Sequence, residues 1–325
     1  MAGKFHYGTW AHSVSNFGDN PDEVKGHAER LADAGFDLII PCVKNPPGYA
    51  DFRTDVAEVN PSYPDWDPLR VLAESAGERG MEVHPWFCIF PEGEHSRLLS
   101  QSPHLAADFE SSRMRWSCAC HPEVQEYELA LYGSVADGYP VHGLHLDYMR
   151  TGGLCQCDYC KEQMSSRGVD IDEVDRTDPG FAKWVDWRCE RITSFVEQMR
   201  KITRSKGIKL SAAVFADIPS CRNSNGQDWA EWAEKDLIDL MIPMNYDNST
   251  RNVELRTRQH LAAVKGGCPV WEGLGIASSA SRLTTEVMVE QVDAAKQGGA
   301  EGVVIFHYPA LTNEDLATLK ALLDN

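Results

Sequence analysis

The 325-residue sequence predicts an α/β protein of the (β/α)8 TIM-barrel class. Eight strand-like runs alternate with helix-like runs, which is the order expected of a parallel barrel. The strand-like runs are almost continuously apolar, as strands buried on both faces should be. The alternative, an open doubly wound sheet, predicts a glycine-rich phosphate-binding turn after an early strand, and the sequence has none. These observations favour a single barrel domain over residues 1–325.

The first four strands are predicted at 5–10, 36–42, 81–87 and 141–147. The helices that follow them begin with prolines, which suit the first helical turn because their missing N–H would have no partner there. These prolines are Pro21, Pro68, Pro122 and Pro179. Asn20, Asp67 and Asp178 precede three of them and are the predicted N-caps. The loops after strands 2, 3 and 4 are predicted to be long, which a barrel tolerates because such loops build its active site.

The last four strands are predicted at 208–215, 237–246, 269–274 and 302–308. A short helix with Trp229 and Trp232 precedes strand 6, and a helix from about residue 252 leads to strand 7. Thr312 is the predicted cap of a final helix. Residues at about 150–178 are predicted to form a cysteine-containing insertion between strand 4 and the long helix that follows it.

The strand-4 run, residues 141–150, carries the central candidate residue. Leu144 and Leu146 are predicted to face the helices, whereas His145 and Asp147 are predicted to face the barrel axis. Asp147 would then stand at the C-terminal end of the strand, where such barrels carry out their chemistry. A carboxylate that ends a buried strand is costly without a role. A structural role, as an acceptor for a neighbouring arginine or a loop amide, is the alternative.

The composition restricts the possible partners. The formal net charge of −18 argues against a nucleic acid or an anionic membrane as the partner. A neutral substrate fits this charge better than a polyanion does. No apolar run reaches the roughly 18 residues of a membrane helix. Residues 1–4 run directly into strand 1 without a visible secretory leader, which favours a cytoplasmic location.

Aromatic and polar side chains at the strand ends indicate a carbohydrate substrate. Sugar rings stack on aromatic side chains, and their hydroxyl groups bind carboxylates, amides and imidazoles. Cleavage of a glycosidic bond uses two carboxyl groups that flank the bond. Asp147 on strand 4 and Glu272 on strand 7 are the predicted catalytic pair, with Asp247 in reserve, and no organic cofactor is required. The predicted substrate-binding residues are Trp86, His84, His145, Arg150, Asn245, Tyr246, Trp271 and His307.

Several of these residues have a structural alternative. Glu272 could equally be a salt-bridged or substrate-orienting residue, and Asp247 fits a turn or helix cap. His84 and His145 fit hydrogen-bonded residues of the barrel interior. Two other functions also remain open. One is a metal-dependent sugar isomerase, epimerase or lyase that uses His145, Asp147, Glu272 and His307 as ligands or bases. The other is a catalytically silent glycan-binding barrel.

Five of the ten cysteines are clustered in the sequence. Cys155, Cys157 and Cys160 include a CxxC step of the kind that chelates zinc, and Cys118 or Cys120 could supply a fourth thiolate. A structural zinc ion between two long loops is therefore predicted. Reduced thiols packed under the loop, or a disulfide in an exported protein, are the alternatives. A catalytic metal in this cluster is disfavoured because closed thiolate sites leave no open coordination position.

Motifs along most of the chain are similar to those of a known family. They are AGFD at 34–37, DPL at 67–69, RGMEVHPWF at 79–87, GLHLDYMR at 143–150 and IDLMIPMNY at 238–246. In this order they resemble the family-10-like glycosyl hydrolases of bacteria, which are glycosyl hydrolase-like TIM barrels. The resemblance implies a TIM barrel that acts on glycans, with Asp147 in the active centre. It implies less about the second carboxyl group.

Overall fold

The computed structural model describes residues 4–109 and 114–323. Its central element is a closed, eight-stranded parallel barrel, because the first strand pairs with both the second and the last. The strands are β1 His6–Ala11, β2 Leu38–Lys44, β3 Glu82–Val83 and Trp86–Cys88, β4 Gly143–Asp147, β5 Lys209–Phe215, β6 Leu240–Met244, β7 Trp271–Gly275 and β8 Gly302–Phe306. The predicted TIM-barrel fold is confirmed. The prediction about a secretory leader rests partly on residues 1–3, which lie outside the described residues.

Eight principal helices surround the barrel. They are α1 Pro21–Asp33, α2 Pro68–Gly77, α3 Pro122–Gly138, α4 Pro179–Lys206, α5 Trp229–Glu234, α6 Thr250–Val264, α7 Thr285–Gly298 and α8 Asn313–Leu323. The predicted caps Asn20, Asp67 and Asp178 accept hydrogen bonds from backbone N–H groups of the first turns. Thr312 accepts one from the N–H of Asp315 at the start of α8. Among the described residues, no helix combines the length and the apolar character needed to cross a membrane.

Shorter elements fill the loops at the C-terminal end of the barrel. The short strands Tyr49–Ala50 and Glu58–Val59 pair after β2, and short helices lie at Arg97–Gln101, Asp158–Ser165 and Ile218–Ser220. Single turns of 3₁₀ or π helix lie at Val14–Phe17, Pro103–Leu105, Cys221–Asn225 and Tyr308–Ala310. These elements explain how the long loops after β2, β3 and β4 remain compact.

Each strand differs from its predicted bounds by one to three residues at one or both ends, and two of these differences have a clear cause. The third strand is interrupted at His84-Pro85 because proline has no N–H to donate to the ladder. The sixth strand ends at Met244, two residues earlier than predicted, because the chain turns there and the N–H of Asn245 donates to the carbonyl of Pro243. This early turn determines the direction of the side chains that follow β6.

The apolar residues form separate cores. Leu144 and Leu146 pack in the large layer between the strands and the helices, as predicted. Trp10, Ile40 and Trp86 belong to a second cluster inside the barrel. A third cluster joins the insertion after β4 to α4 and contains six of the ten buried cysteines, Cys118, Cys120, Cys155, Cys157, Cys160 and Cys189. Trp184 and Trp187 pack in this third cluster, whereas Trp229 and Trp232 pack in the first.

Candidate functional site

A cavity of about 660 Å³ opens at the C-terminal ends of the barrel strands. Its aromatic lining consists of Trp10, Trp86, Tyr148, Phe215, Tyr246 and Phe306. Its charged and ionisable lining consists of Asp147, Arg150, Arg282 and His12. Asp147 is the only carboxylate that lines this cavity within residues 4–109 and 114–323. The cavity therefore combines aromatic surfaces for ring stacking with a single buried acid.

Asp147 is held by the turn that ends β4. Tyr148 adopts φ +53°, and the N–H of Tyr148 donates to Asp147 Oδ1 at 2.5 Å. The same turn brings Arg150 back, so that its Nη1 lies 3.5 Å from Asp147 Oδ1. Burial raises the pKa of Asp147, and the opposing effects of the Arg150 charge and the Tyr148 N–H do not cancel this rise. A carboxyl group of this kind keeps its proton at higher pH than an exposed aspartate does.

Arg150 is both stacked and incompletely hydrogen-bonded. Its guanidinium lies 4.1 Å from the ring centroid of Tyr148 and 4.8 Å from that of Phe215. Its buried Nη1 has no hydrogen-bond acceptor among the residues the structure describes, although it faces Asp147. Because a buried donor without an acceptor is costly, this N–H is suited to bind an oxygen of a ligand in the cavity.

A chain of hydrogen bonds fills the barrel below the cavity. Trp10 Nε1–H donates to His145 Nε2 at 3.1 Å, and Ser211 Oγ lies 2.9 Å from both His145 Nδ1 and His84 Nδ1. His145 is therefore neutral and carries its proton on Nδ1. Burial lowers the pKa of both histidines, which agrees with this neutral state. His84 and His145, predicted to contact the substrate, lie in the barrel interior, and neither lines the cavity.

Trp86, Arg150 and Tyr246 lie where the sequence predicted them, in the lining of the cavity. Trp86 is held in place because its Nε1–H donates to the carbonyl of Ala11 at 3.0 Å. Its ring lies parallel to that of Tyr148, with the centroids 6.4 Å apart. Burial raises the pKa of Tyr246 well above its ordinary value, and the charge of Asp147 raises it further. The hydroxyl of Tyr246 thus remains a neutral hydrogen-bonding group.

Glu272 lies outside the cavity, in the layer between β7 and α6. Its carboxylate is fully buried and is bound by Asn245 Nδ2 at 2.9 Å and by His260 Nδ1 at 2.8 Å. The second ring nitrogen of His260 donates to the carbonyl of Ala216 at 2.8 Å. Glu272 therefore does not share the cavity with Asp147, its predicted partner, and Asn245, predicted to bind substrate, donates a hydrogen bond to Glu272.

Two further predicted residues, Asp247 and Trp271, also lie away from the cavity lining. Asp247 lies in the loop two residues before Ser249, the N-cap of α6: its carboxylate accepts from the N–H of Ser249 at 2.8 Å and lies 3.0 Å from Arg256 Nη1. Although burial raises the pKa of Asp247, these hydrogen bonds and the arginine lower it overall. Trp271 lies at the N-terminal end of the barrel, stacked on His6 with centroids 4.9 Å apart. The structure thus brings neither Asp247 nor Trp271 into the lining of the cavity that contains Asp147.

The rim of the cavity near β8 holds two histidines. His307 does not line the cavity, but its ring centroid lies 4.4 Å from that of His12, which does. Burial lowers the pKa of both rings. The sequence analysis ended strand 1 at Trp10 and so missed His12, which directly follows β1. It also missed Phe215 at the end of β5, although the same strand-end rule applies. Arg282, in the loop after β7, has no signal in the sequence.

Replacing Glu272 with Gln is expected to lower the free energy of unfolding by about 1–3 kcal/mol, because an amide replaces a buried carboxylate that accepts two hydrogen bonds. The catalytic rate is expected to stay within about twofold of the original value, since the residue is remote from the cavity. Urea unfolding and steady-state kinetics on the same protein preparation measure both quantities. A large loss of activity with unchanged stability would show that Glu272 takes part in catalysis.

Four cysteine thiols converge near the cavity. Cys118, Cys155, Cys157 and Cys160 are buried, and their sulfur atoms lie within 4.8 Å of one another. The predicted group of three is thereby joined by Cys118 rather than by Cys120. By contrast, the structure does not bring together the ligands that the isomerase or lyase hypothesis requires, which are His145, Asp147, Glu272 and His307. His145 lies below the cavity, and Glu272 lies outside the barrel.

Comparisons with known proteins agree with this geometry. The family model described as Glycosyl hydrolase-like 10 matches residues 8–268. Glycosyl hydrolase DigH of Escherichia coli (strain K12) is 24% identical over 230 residues, which are 61% of this chain and 49% of that protein. The chain thus spans about half the length of the curated relatives it matches.

Solved structures with the same fold include two bacterial carbohydrate-active domains. The glycoside hydrolase domain of PgaB (BpsB) from Bordetella bronchiseptica has a TM-score of 0.77 at 14% identity, with 98% of each chain covered. The catalytic domain of a β-amylase from Paenibacillus polymyxa has a TM-score of 0.69 at 11% identity, with 97% of this chain and 95% of that chain covered. At these identities the likeness establishes the fold.

Proposed function

Since the chain belongs to the glycosyl hydrolase-like 10 family, we propose that it is a glycoside hydrolase that binds a carbohydrate in the aromatic cavity and uses Asp147 as a catalytic carboxyl group. The barrel is of the glycoside hydrolase type. The observation that carries the proposal is the position of Asp147, a buried acid at the end of β4 in a cavity lined by six aromatic residues. Carbohydrate recognition requires this combination of stacking surfaces and polar groups.

The environment of Asp147 supports the role of a proton donor. Departure of a sugar hydroxyl requires a proton on the glycosidic oxygen, and a carboxyl group with a raised pKa can supply it. A water molecule from the solvent adds to the anomeric carbon as this bond breaks, and the proton that it loses restores the protonated carboxyl group. Burial raises the pKa of Asp147 in this way. Arg150, whose Nη1 lies 3.5 Å from the carboxylate, would stabilise the ionised form after proton transfer and orient it.

The rim and walls would bind the sugar. Trp10, Trp86 and Tyr246 line the cavity with aromatic surface on which a pyranose ring can stack. The unpaired N–H of Arg150 is available to a sugar hydroxyl. Glu272 has no part in this mechanism, because Asn245 and His260 occupy its oxygens on the outside of the barrel.

The direct test is hydrolysis of a panel of polysaccharides and aryl glycosides, with released reducing ends measured and products identified by mass spectrometry. The proposal predicts turnover of at least one glycan class. Tryptophan fluorescence measures binding in parallel, since Trp10 and Trp86 line the cavity. Sugar binding without turnover across the panel would instead support a catalytically silent glycan-binding barrel.

The pH dependence of activity provides a second prediction. Because the proton donor acts in its protonated form, kcat/KM is expected to hold at low pH and to fall as pH rises through the raised pKa of Asp147. Replacing Arg150 with Gln removes the positive charge that lowers this pKa, so the alkaline limb should move upward by about one pH unit. A pH–rate profile of both proteins measures the shift. Activity that instead rises with pH through this pKa, with the acid limb moved upward in the Arg150 variant, would mean that Asp147 acts in its ionised form.

A further inference from the structure

The geometry points to a structural zinc site, which we propose is formed by the thiolates of Cys118, Cys155, Cys157 and Cys160. The four sulfur atoms lie within 4.8 Å of one another, and those of Cys118 and Cys160 are 3.6 Å apart. In a tetrahedral zinc site with Zn–S bonds of about 2.3 Å, neighbouring sulfurs are about 3.8 Å apart. The cluster thus needs only small side-chain adjustments to bind one Zn²⁺ ion.

The backbone around these cysteines places a CxxC step at the start of a helix. Cys157 is the residue before the short helix Asp158–Ser165, and Cys160 lies in its first turn, so that a CxxC step wraps around a helix start. Cys155 precedes this step by two residues, and Cys118 arrives from the separate loop after β3. Ligands from two distant segments are typical of a metal that ties loops together.

The packing around the thiols explains why the insertion needs a stabilising metal ion. The insertion contains a single helix of eight residues, Asp158–Ser165, between β4 and α4 in the described chain. Its thiols pack with Met164, Val169 and Trp184 in a cluster separate from the main core. A small satellite core buries little apolar area, and a structural metal is a usual compensation. Four thiolates also fill the coordination sphere, so this metal would have no open position for chemistry.

The site also positions a wall of the cavity. Trp116, two residues before Cys118, lies with its ring centroid 6.0 Å from that of Tyr148, which lines the cavity. The N–H of Ser117 donates to the carbonyl of Phe90, and the N–H of Cys118 to that of Leu105, both at 2.8 Å. Zinc binding would therefore fix the loop that supports Tyr148 and, through it, the turn that holds Asp147.

Metal analysis of the whole chain, purified with its thiols reduced, tests the proposal. We expect about one zinc ion per chain, and substitution by Co²⁺ should give the sulfur-to-cobalt charge-transfer bands and the visible spectrum of a tetrahedral tetrathiolate site. Cys118→Ser and Cys160→Ser should each lower zinc content by about tenfold. Thermal unfolding should shift down by about 10 °C when zinc is removed from the unmodified chain.

Cys120→Ser and Cys189→Ser are the matched controls, because both thiols are buried in the same cluster but lie outside the group of four. They should keep the zinc and the cobalt spectrum. The cobalt spectrum is measured on the unmodified chain, so it tests the proposed zinc site even if a serine variant fails to fold. Any one of three results would overturn the proposal. These are a metal-free protein with ten titratable thiols, a disulfide within the cluster in a peptide map, and equal zinc loss in the Cys120 control.

Discussion

Replacing Asp147 with Asn is expected to lower kcat/KM for glycan hydrolysis by about 10²–10⁴-fold, the range over which a positioned acid or base contributes to catalysis. The amide has nearly the same shape, but it can neither donate a carboxyl proton nor take a negative charge. Because burial already favours the neutral form of Asp147, a neutral amide should fit the site, and the fold should remain intact. Binding of the substrate, followed by tryptophan fluorescence, should change much less than turnover.

Asp247→Asn is the matched control for this substitution. Asp247 is the other candidate carboxylate, in the loop after β6, but it lies two residues before the N-cap of α6 and accepts from the N–H of Ser249. Because the side-chain oxygen of asparagine can accept the same hydrogen bond, and the ion pair with Arg256 is partly exposed, this variant should keep its stability to within about 1 kcal/mol and an activity within about twofold of the original. Retained turnover in Asp147→Asn, with circular dichroism and unfolding temperature unchanged, would exclude Asp147 as the catalytic carboxyl group.

The barrel was predictable because each local signal agreed with the overall fold. Prolines after capping residues marked the starts of the helices, and the continuous apolar runs marked strands buried on both faces. The alternation in β4 also placed Asp147 correctly, since Leu144 and Leu146 face the helices. Where strand ends, caps and periodicity all agree, a sequence contains enough information to locate a residue at the end of a barrel strand.

The same reasoning failed in β7 because the direction of a side chain changes with every residue along a strand. Gly273 faces the barrel axis, where a β-carbon would lie 2.9 Å from Trp10 Cη2. Glu272, one position earlier, must therefore face the helices. Its burial is compensated by Asn245 and by His260 of α6, which are distant in the sequence. In β7 the glycine faces the barrel axis and the carboxylate faces the helices, and only the tertiary contacts reveal this orientation.

The cysteine cluster was half predictable for a similar reason. The spacing of Cys155, Cys157 and Cys160 is local and visible in the sequence. The fourth position could have been Cys118 or Cys120, because nothing in the sequence determines how the loop after β3 approaches the insertion. The backbone hydrogen bond from Cys118 to Leu105 determines this approach and brings Cys118 into the group of four.

The buried cation Lys44 should give the largest stability effect in the molecule. Its ammonium group, fully buried at the end of β2, lies 2.5 Å from Glu92 Oε1 and 2.8 Å from Glu128 Oε1. It also donates to the carbonyls of Cys88 and Ile89, at 3.0 and 2.8 Å. Burial lowers the pKa of Lys44, but the two carboxylates outweigh this effect and raise it overall, so the group stays charged.

Lys44→Met is therefore expected to lower the free energy of unfolding by about 3–5 kcal/mol, because it removes the buried ammonium group that both carboxyl groups contact. Glu128→Gln should cost less than about 1 kcal/mol. Burial raises the pKa of Glu128 well above its ordinary value, and Glu92 raises it further, against the opposing effect of Lys44. A neutral amide consequently resembles the form of Glu128 that the fold already favours. Urea unfolding of the two variants separates these cases, and equal losses would show that both carboxylates are ionised around Lys44.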